Sequence, residues 1–259
     1  MTTHSEPSSA ADSAFQTGTA SSLRVALLGA TRSIHTVRWA NGLSERGYDV
    51  HLLSLDDPSS DIAAAVHQYK LPCGSPWGYF LAVFKLRQLL SRIKPDLLNT
   101  HYATGYGLLA RLSGFLPNLL SAWGSDISDF PNKSRWHHAA LGKTLDRATA
   151  LGATSHAMAI KMRELSSTPI FVTPFGIDEH QFTPRLVRNP SDHIVIGTVK
   201  TLEAIYGIDT LIQAFAKLKV RLAMTHPDLA DRLMLRIYGG GSQFHMLATM
   251  GESLGLTDC

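Results

Sequence analysis

The sequence contains few cysteines and no long apolar run. Only two of its 259 residues are cysteine, Cys73 and Cys259, and neither belongs to a CxxC pair. This usage favours free thiols in a reducing cytoplasm over a disulfide or a metal site. No stretch reaches the roughly 18 consecutive apolar residues that a membrane-spanning helix needs. The formal net charge of +3 is too small to indicate a nucleic-acid-binding protein.

Several catalytic signatures are also missing. Gly29 is the only glycine of the segment GATRSIHTVRW, so the GxGxxG fingerprint of nicotinamide and flavin enzymes is absent. No D-x-D motif occurs, and no His, Cys or carboxylate cluster has metal-ligand spacing, which argues against a metal-dependent diphosphate site. The absence of GxSxG removes the nucleophile elbow of many hydrolases.

The first 22 residues have little to bury. They are rich in Ser, Thr and Ala and contain no Lys or Arg, so they lack the basic and apolar regions of a signal peptide. We expect residues 1–22 to form a disordered tail.

The rest of the chain alternates strand and helix patterns. Apolar runs predict strands over 23–29, 49–55, 96–101, 118–123, 149–154 and 170–173, with helices over 34–46, 77–94, 105–114, 134–147 and 156–165. This alternation predicts an α/β domain over 23–182, with a parallel sheet covered on both faces. Two prolines in 183–193 indicate a linker. Strands at 194–199 and 233–238, each followed by a helix, predict the first half of a second α/β domain over 194–259.

Ligands of such sheets bind outside the carboxyl ends of the strands, which directs attention to the loops there. Arg32 and His35 follow the first strand and suit a phosphate or sugar at a helix N-terminus, or an ordinary strand–helix turn. His101 ends the third predicted strand and is a candidate hydrogen-bonding or acid–base group, or a structural histidine. Asp126 lies in the segment WGSDI and is a candidate to orient a sugar hydroxyl, to act as a base or to cap a turn.

Two loops of the second domain suit a phosphate ligand. An enzyme that uses no metal needs cationic side chains or helix N-termini to stabilise developing phosphate charge. Lys200, directly after the strand 194–199, is the best-placed cation. The glycines of YGGG (238–241) allow the backbone to approach a ligand closely.

Taken together, several segments resemble family 4 of the retaining glycosyltransferases, which have the GT-B fold. The segments that carry the resemblance, in the order of the family, are SIHTVRWANGLSERGYDVHLLSL, KPDLLNTHYATGYG, LLSAWGSDI, VTPFGIDEHQFTP, IGTVKTLEAIYGIDTLIQAFAKL and IYGGGSQFHML. Each motif alone is weak, but six in the correct order are specific.

The resemblance implies two Rossmann-like domains, an acceptor-binding domain over 23–182 and a nucleotide-sugar-binding domain that begins at 194. It implies transfer of a sugar from a nucleotide-diphosphate donor to a saccharide or lipid-linked acceptor of cell-surface polysaccharide biosynthesis, with no metal and no cofactor. His101 and Asp126 are then the expected catalytic residues. The expected acceptor-binding residues are Arg32, His35, Trp123 and Ser125. The expected donor-binding residues are Gly176, Lys200, Thr201, Gly239 and Gly240.

The sequence departs from the family pattern in three places. Lys200 matches a family cation only with a shift of one residue, and Ile205 and Tyr206 stand where a second cation is expected. Trp123 replaces a common histidine. The E-x7-E segment of the family would lie beyond residue 259, so we expect little activity from this chain alone. Two alternatives remain: a non-catalytic acceptor-binding subunit completed by another chain, and a sugar-nucleotide 2-epimerase.

The segment 77–94 allows a peripheral membrane contact. Its first half is apolar, and its second half carries Lys85, Arg87, Arg92 and Lys94. As a helix it would suit an anionic membrane surface that presents a lipid-linked acceptor, or it is a core helix with a basic solvent-facing end. The predicted location is therefore cytoplasmic, with a membrane contact as a hypothesis.

Overall fold

The apolar runs of the first half of the chain form one parallel sheet. The structure, a computed structural model, describes residues 22–72, 78–179, 181–183 and 193–256. The chain divides into two units, Met1–Asp178 and Glu179–Cys259. The predicted tail 1–22 lies outside the described residues except for its last residue. The predicted linker 183–193 lies outside them except for its two ends, and both cysteines also lie outside them.

In its described part, the first unit contains seven strands and six α-helices, which mostly alternate along the chain. The strands are β1 (Arg24–Leu28), β2 (Asp49–Ser54), β3 (His67–Lys70), β4 (Leu97–His101), β5 (Asn118–Ala122), β6 (Ala150–Ala153) and β7 (Ile170–Val172). The helices are α1 (Ile34–Glu45), α2 (Gly78–Ile93), α3 (Gly105–Ser113), α4 (Ser125–Ser128), α5 (Arg135–Leu145) and α6 (His156–Leu165).

All seven strands are parallel, in the order β3-β2-β1-β4-β5-β6-β7. The order reverses at β1, which has β2 on one side and β4 on the other. In open parallel sheets, the crevice at the carboxyl ends beside such a reversal is the usual ligand site. The predicted α/β class and parallel sheet are confirmed for this unit.

Alternation along β1 explains why both faces of the sheet are covered. Ala26 and Leu28 pack with α2 and α3 on one face, whereas Val25 and Leu27 pack with α1 on the other. Successive side chains of a strand point to opposite faces, so a strand buried on both sides needs an unbroken apolar run. A third cluster packs β5 and β6 against α5 and α6.

Sequence patterns missed β3. Its four residues, HQYK, contain no aliphatic side chain and are at most partly buried. In the part of the chain that the structure describes, it is the edge strand and bonds only to β2, so it needs no apolar alternation to be held in place. The short helix α4 was also missed, because it contains only four residues, too few to show a helical pattern of apolar side chains.

The second unit is smaller and has one two-stranded parallel sheet. It contains β8 (Ile194–Val199) and β9 (Leu233–Tyr238), with the helices α7 (Ile208–Thr225), α8 (Pro227–Arg232) and α9 (Phe244–Ser253). Leu202, Ile208, Ile212 and Leu247 form its buried cluster. Val199 at the end of β8 is 81% exposed, so this sheet is covered far less completely than the first.

Candidate functional site

His101 is the centre of a polar and aromatic cluster at the carboxyl end of the first sheet. It is the last residue of β4, next to β1 and β5, and only 1% of it is exposed. Its Nδ1 lies 3.3 Å from the hydroxyl of Thr36 in α1. Its Nε2 is buried and has no hydrogen-bond partner among the described residues.

Gly29 makes room for this imidazole. A Cβ at position 29 would lie 3.1 Å from the Cβ of His101 and 3.1 Å from the Thr36 hydroxyl, which is tighter than most real Cβ contacts. The glycine after β1 therefore has a packing reason, which is different from the role of a dinucleotide-binding glycine.

Burial keeps His101 neutral. Desolvation, with a smaller contribution from the nearby His35, lowers the pKa of His101 from 6.5 to about 3. A neutral imidazole donates from one nitrogen and accepts at the other. His101 is therefore suited to a directed hydrogen bond with a hydroxyl, and poorly suited to store a proton at neutral pH.

Three rings surround the exposed side of the cluster. His35, in the first turn of α1, stacks on Phe175 with centroids 3.6 Å apart and planes 8° from parallel. Trp123 packs edge-on to both rings, at 5.3 Å from His35 and 5.7 Å from Phe175, and lies 4.9 Å from the ring of His101. The structure thus brings together three predicted site residues, His35, His101 and Trp123.

The neighbouring groove runs between α1 and the segment that follows β7. It has a volume of about 750 Å³, and its lining includes His35, Arg38, Phe175 and Gly176. A guanidinium N–H of Arg38 donates to the carbonyl of Gly176 over 3.0 Å. Burial, together with the charge of Arg38, lowers the pKa of His35.

Asp126 ties two site loops together. Its buried carboxylate accepts hydrogen bonds from the backbone N–H of Ala103 at 2.8 Å, of Gly124 at 2.8 Å and of Trp123 at 3.1 Å. These bonds link the loop after β4 to the loop after β5. The contacts favour a positioning role for Asp126, because its oxygens already face backbone donors; a role as a base stays a prediction.

Tyr102 and Ser125 form the outer rim. Tyr102 has a positive φ of 77°, which is rare for a side-chain-bearing residue and marks a strained loop. Its hydroxyl lies 2.7 Å from that of Ser125, which is exposed at the start of α4. Arg32 stays apart from the rings: its side chain is 83% exposed and its Nε lies 3.6 Å from a carboxylate oxygen of Asp56.

In the second unit, the two predicted donor loops lie side by side at the carboxyl ends of β8 and β9. The N–H of Lys200 donates to the carbonyl of Tyr238 at 2.9 Å, and that of Leu202 to Gly240 at 2.9 Å. A Cβ at Gly239 would lie 1.9 Å from the Lys200 carbonyl oxygen. Glycine is therefore required by the neighbouring backbone, whether or not a ligand binds there. Thr201 lies between the two bonded residues, in the same loop.

Lys200, the cation predicted for the donor loops, is held over an aromatic ring. The Nζ of exposed Lys200 lies 4.1 Å from the centroid of Tyr206. Nearby, Glu203 accepts hydrogen bonds from the hydroxyl of Ser242 at 2.6 Å and from its backbone N–H at 2.9 Å, and these bonds lower the pKa of Glu203. Glu203 thereby links the loop after β8 to the glycine loop.

Sequence reasoning missed several residues of these sites. Phe175 and Thr36 join the cluster only through the fold, and no local pattern signals the positive φ of Tyr102. The sequence also showed no metal-ligand spacing, yet Asp49, His51 and His67 lie together, with one ligand atom of each within 4.8 Å of the others. The only sign of this cluster in the sequence was that Asp49 and His51 stand two residues apart in a predicted strand.

Known proteins match this chain in sequence. A glycosyltransferase assigned to teichuronic acid biosynthesis, TuaC of Bacillus subtilis (strain 168), is 30% identical over 91 residues, which is 34% of this chain and 23% of TuaC. A D-inositol 3-phosphate glycosyltransferase of Stackebrandtia nassauensis is 34% identical over 80 residues, 28% of this chain and 17% of that protein. The matches thus span less than a quarter of either relative.

Solved structures match the fold. Sucrose-phosphate synthase of Thermosynechococcus elongatus has a TM-score of 0.69 at 15% identity, over 91% of this chain and 69% of that one. Anabaena HepE, solved with UDP and glucose, has a TM-score of 0.61 at 15% identity, over 91% and 67% of the two chains. These likenesses confirm the GT-B fold class. Among the described residues, no helix has both the length and the apolar character that crossing a bilayer requires.

The sequence pattern of the first unit decides the family. The family model described as "Glycosyl transferase 4-like" matches residues 24–155, just over half of the chain, and this segment contains β1 to β6 with His35, His101, Trp123 and Asp126. The chain therefore belongs to the glycosyl transferase 4-like family.

Proposed function

We propose that this chain provides a glycosyltransferase site that moves a sugar from a nucleotide-diphosphate donor to a hydroxyl of a saccharide or lipid-linked acceptor. The observation that carries the proposal is the buried, neutral His101 at the carboxyl ends of the central strands, inside the segment that matches the family. Its unpartnered Nε2 is a hydrogen-bonding atom available to a sugar hydroxyl.

The reaction has a simple balance. The bond between the anomeric carbon and the diphosphate oxygen breaks, and a bond from that carbon to the acceptor oxygen forms. The nucleoside diphosphate leaves with the bonding electron pair, and its departing oxygen takes the proton that the acceptor hydroxyl gives up. With retention, the new bond lies on the face of the sugar that the diphosphate left.

We assign complementary roles to the residues of the first unit. His101 orients a sugar hydroxyl through Nε2, while Trp123 and His35 offer ring surfaces to the apolar face of a sugar. Asp126 acts as a positioning residue, since it holds the backbone of the loops that carry Ala103 and Trp123. Ser125 and Arg32 lie farther out and suit the distal part of an acceptor.

The donor diphosphate is proposed to bind the loops of the second unit, in a site that uses no metal. Lys200, Thr201, Gly239 and Gly240 form adjacent loops there, and Gly176 lines the groove of the first unit. Developing negative charge on the leaving diphosphate would then be stabilised by Lys200 and by backbone N–H groups. The relative solved with UDP and glucose supports this class of donor.

A lipid-linked acceptor is proposed because of α2. One face of the helix is buried through Ala82, Leu86 and Leu90, whereas Leu81 is 55% and Phe84 72% exposed. Leu81, exposed Lys85 and exposed Arg92 lie along one line of the helix, four and seven residues apart. This face suits the anionic surface of the cytoplasmic membrane leaflet. Sedimentation with anionic liposomes tests the contact, and equal binding by the F84S variant would exclude it.

Titration of the chain with UDP, GDP and their sugars tests the proposed function, together with product analysis on saccharide and lipid-linked acceptors. We expect K200Q to weaken nucleotide binding about tenfold, equivalent to about 1.4 kcal/mol. K217Q, which removes an exposed lysine of α7, is the control and should bind as the wild type does.

The outcomes separate the alternatives. Transfer of a sugar to an acceptor supports the proposal, and conversion of the free sugar nucleotide to its 2-epimer supports an epimerase. Acceptor binding without binding of any nucleotide supports a non-catalytic partner subunit. Failure to bind either ligand class would contradict the proposal.

A further inference from the structure

A second cluster of polar side chains lies at the end of the first sheet opposite to His101. Asp49 and His51 stand two residues apart on β2, so their side chains share one face. His67 begins β3 and pairs in register with His51. The three residues therefore meet near the amino ends of two parallel strands, whereas His101 lies at a carboxyl end.

The distances in this cluster approach those of a metal site. Oδ1 of Asp49 lies 3.1 Å from Nε2 of His51 and 3.9 Å from Nε2 of His67. Zinc bonds of about 2.0–2.2 Å in a tetrahedral arrangement place ligand atoms roughly 3.3–3.5 Å apart. The side chain of His67 is 61% exposed and has room to rotate toward a shared ion.

The buried histidine points to a missing partner. The side chain of His51 is only 10% exposed, and its Nε2 has no hydrogen-bond partner among the described residues. When the ring proton is on Nδ1, Nε2 and the Asp49 oxygen 3.1 Å away are both acceptors, with no proton between them. A buried nitrogen without a partner is costly, and an ion between the two ligand atoms would remove that cost.

The surroundings of His51 fit a ligand role. Its Nδ1 lies 3.1 Å from the hydroxyl of Tyr69, so Nδ1–H can donate there and leave the Nε2 lone pair for a metal. Ligating histidines almost always use their second nitrogen in this way.

One nearby charge opposes a cation. The Nε of Arg24 donates to the other oxygen of Asp49 at 2.8 Å, and this bond is the main reason that the pKa of Asp49 is lowered. The arginine also orients the carboxylate, because it occupies Oδ2 and leaves Oδ1 toward the two imidazoles. Its side chain is 43% exposed, so solvent weakens its repulsion of an ion.

We propose that Asp49, His51 and His67 bind a divalent transition-metal ion, for which Zn²⁺ is the best match. Two imidazoles and one carboxylate are ligands that zinc accepts, with water in the fourth position. The ion would join the edge strand β3 to β2. It would take no part in sugar transfer, because the resemblance to the family implies that transfer uses no metal. The inference stands independently of the proposed function.

Calorimetric titration of the untagged chain with ZnSO4 tests the proposal, with Co²⁺ as a spectroscopic probe of tetrahedral ligation. We expect one site in the wild type. H67Q should lower its affinity at least tenfold, because an exposed ligand is lost with little effect on folding. Y69F should lower the affinity roughly tenfold, as loss of an outer partner does. H138Q, which removes an exposed histidine of α5, is the matched control and should leave the affinity unchanged.

Two results would overturn the proposal. The first is wild-type binding that H67Q leaves unchanged, or that H67Q and H138Q reduce equally, since the ion would then bind other histidines or the cysteines. The second is the absence of any stoichiometric site. A loss confined to H67Q and Y69F, with unchanged circular dichroism, supports the site.

Discussion

At the scale of single residues, burial decides what the candidate site can do. His101 sits among Gly29, Thr36 and Trp123, and desolvation holds its pKa near 3. It therefore offers hydrogen bonds in a fixed direction at neutral pH. Asp126 is equally buried, but its oxygens already accept backbone hydrogen bonds.

The lowered pKa of His101 makes stability depend on pH. The unfolded chain protonates His101 near pH 6.5, whereas the folded chain resists protonation down to about 3. His101 should therefore cost stability as pH falls below 6.5, by about 1.4 kcal/mol per pH unit. Urea unfolding at several pH values checks this expectation. H101Q should show the shallower pH dependence, and equal slopes in the two proteins would contradict a buried neutral imidazole.

The positioning role of Asp126 predicts a structural defect when it is changed. D126N replaces an accepting oxygen with an NH2 group that faces backbone N–H donors, so the free energy of unfolding should fall by about 3 kcal/mol. D129N, at an exposed carboxylate three residues away, is the control and should change it by less than about 0.5 kcal/mol. An unchanged stability of D126N with lost transfer activity would instead favour Asp126 as a base.

At the scale of elements, the ends of the helices explain where the chain turns back toward the sheet. Gly114 follows α3 with a left-handed φ of 73°, and its N–H donates to the carbonyl of Ala110. Glycine adopts this conformation at little cost, whereas a residue with a Cβ does not.

Two glycine substitutions should therefore change the free energy of unfolding in opposite directions. G114A should lower the free energy of unfolding by about 1 kcal/mol, because alanine is strained at a left-handed φ. G42A lies inside α1, where its Cβ would meet only the flexible end of Arg46 at 3.3 Å. It should raise the free energy of unfolding by about 0.5–1 kcal/mol. Thermal and urea unfolding measure both, and a stabilising G114A would refute the assigned turn.

At the scale of the whole molecule, the two units differ in how completely their backbones are bonded. β1, β4 and β5 each have a neighbour on both sides, whereas within the described residues β8 and β9 bond only to each other. A strand with one neighbour leaves alternate backbone groups to solvent and opens more easily.

Hydrogen exchange should report this difference. Amides of β8 and β9 should exchange faster than those of β1, β4 and β5, because their opening needs less free energy. A bound nucleoside diphosphate should slow exchange in the loops 200–206 and 239–243, with no change in β1. If the amides of β8 and β9 exchanged as slowly as those of β1 in the free chain, the expectation that the second unit opens more easily would be wrong.

Much of the fold was accessible from the sequence. Strands such as β1 were predicted to within a residue, because a strand buried on both faces needs an apolar run that few other structures use. The edge strand β3 was not, because HQYK contains no aliphatic pattern and pairs with β2 only after the sheet has formed. Of the site, His35 and His101 were named from their position at the ends of strands, and Trp123 was named from the resemblance to the family. Phe175 and Thr36 come from distant parts of the chain.

Apolar periodicity and motif order are local properties of the chain, and they were enough to predict the alternating α/β order, the family and the loops in which site residues stand. Which side chains meet, and in what state, depends on the folded arrangement. Burial beside Gly29 makes His101 neutral, backbone donors engage Asp126, and strand register unites His67 with Asp49 and His51. Desolvation and contact depend on residues far apart in sequence, so local patterns do not encode them.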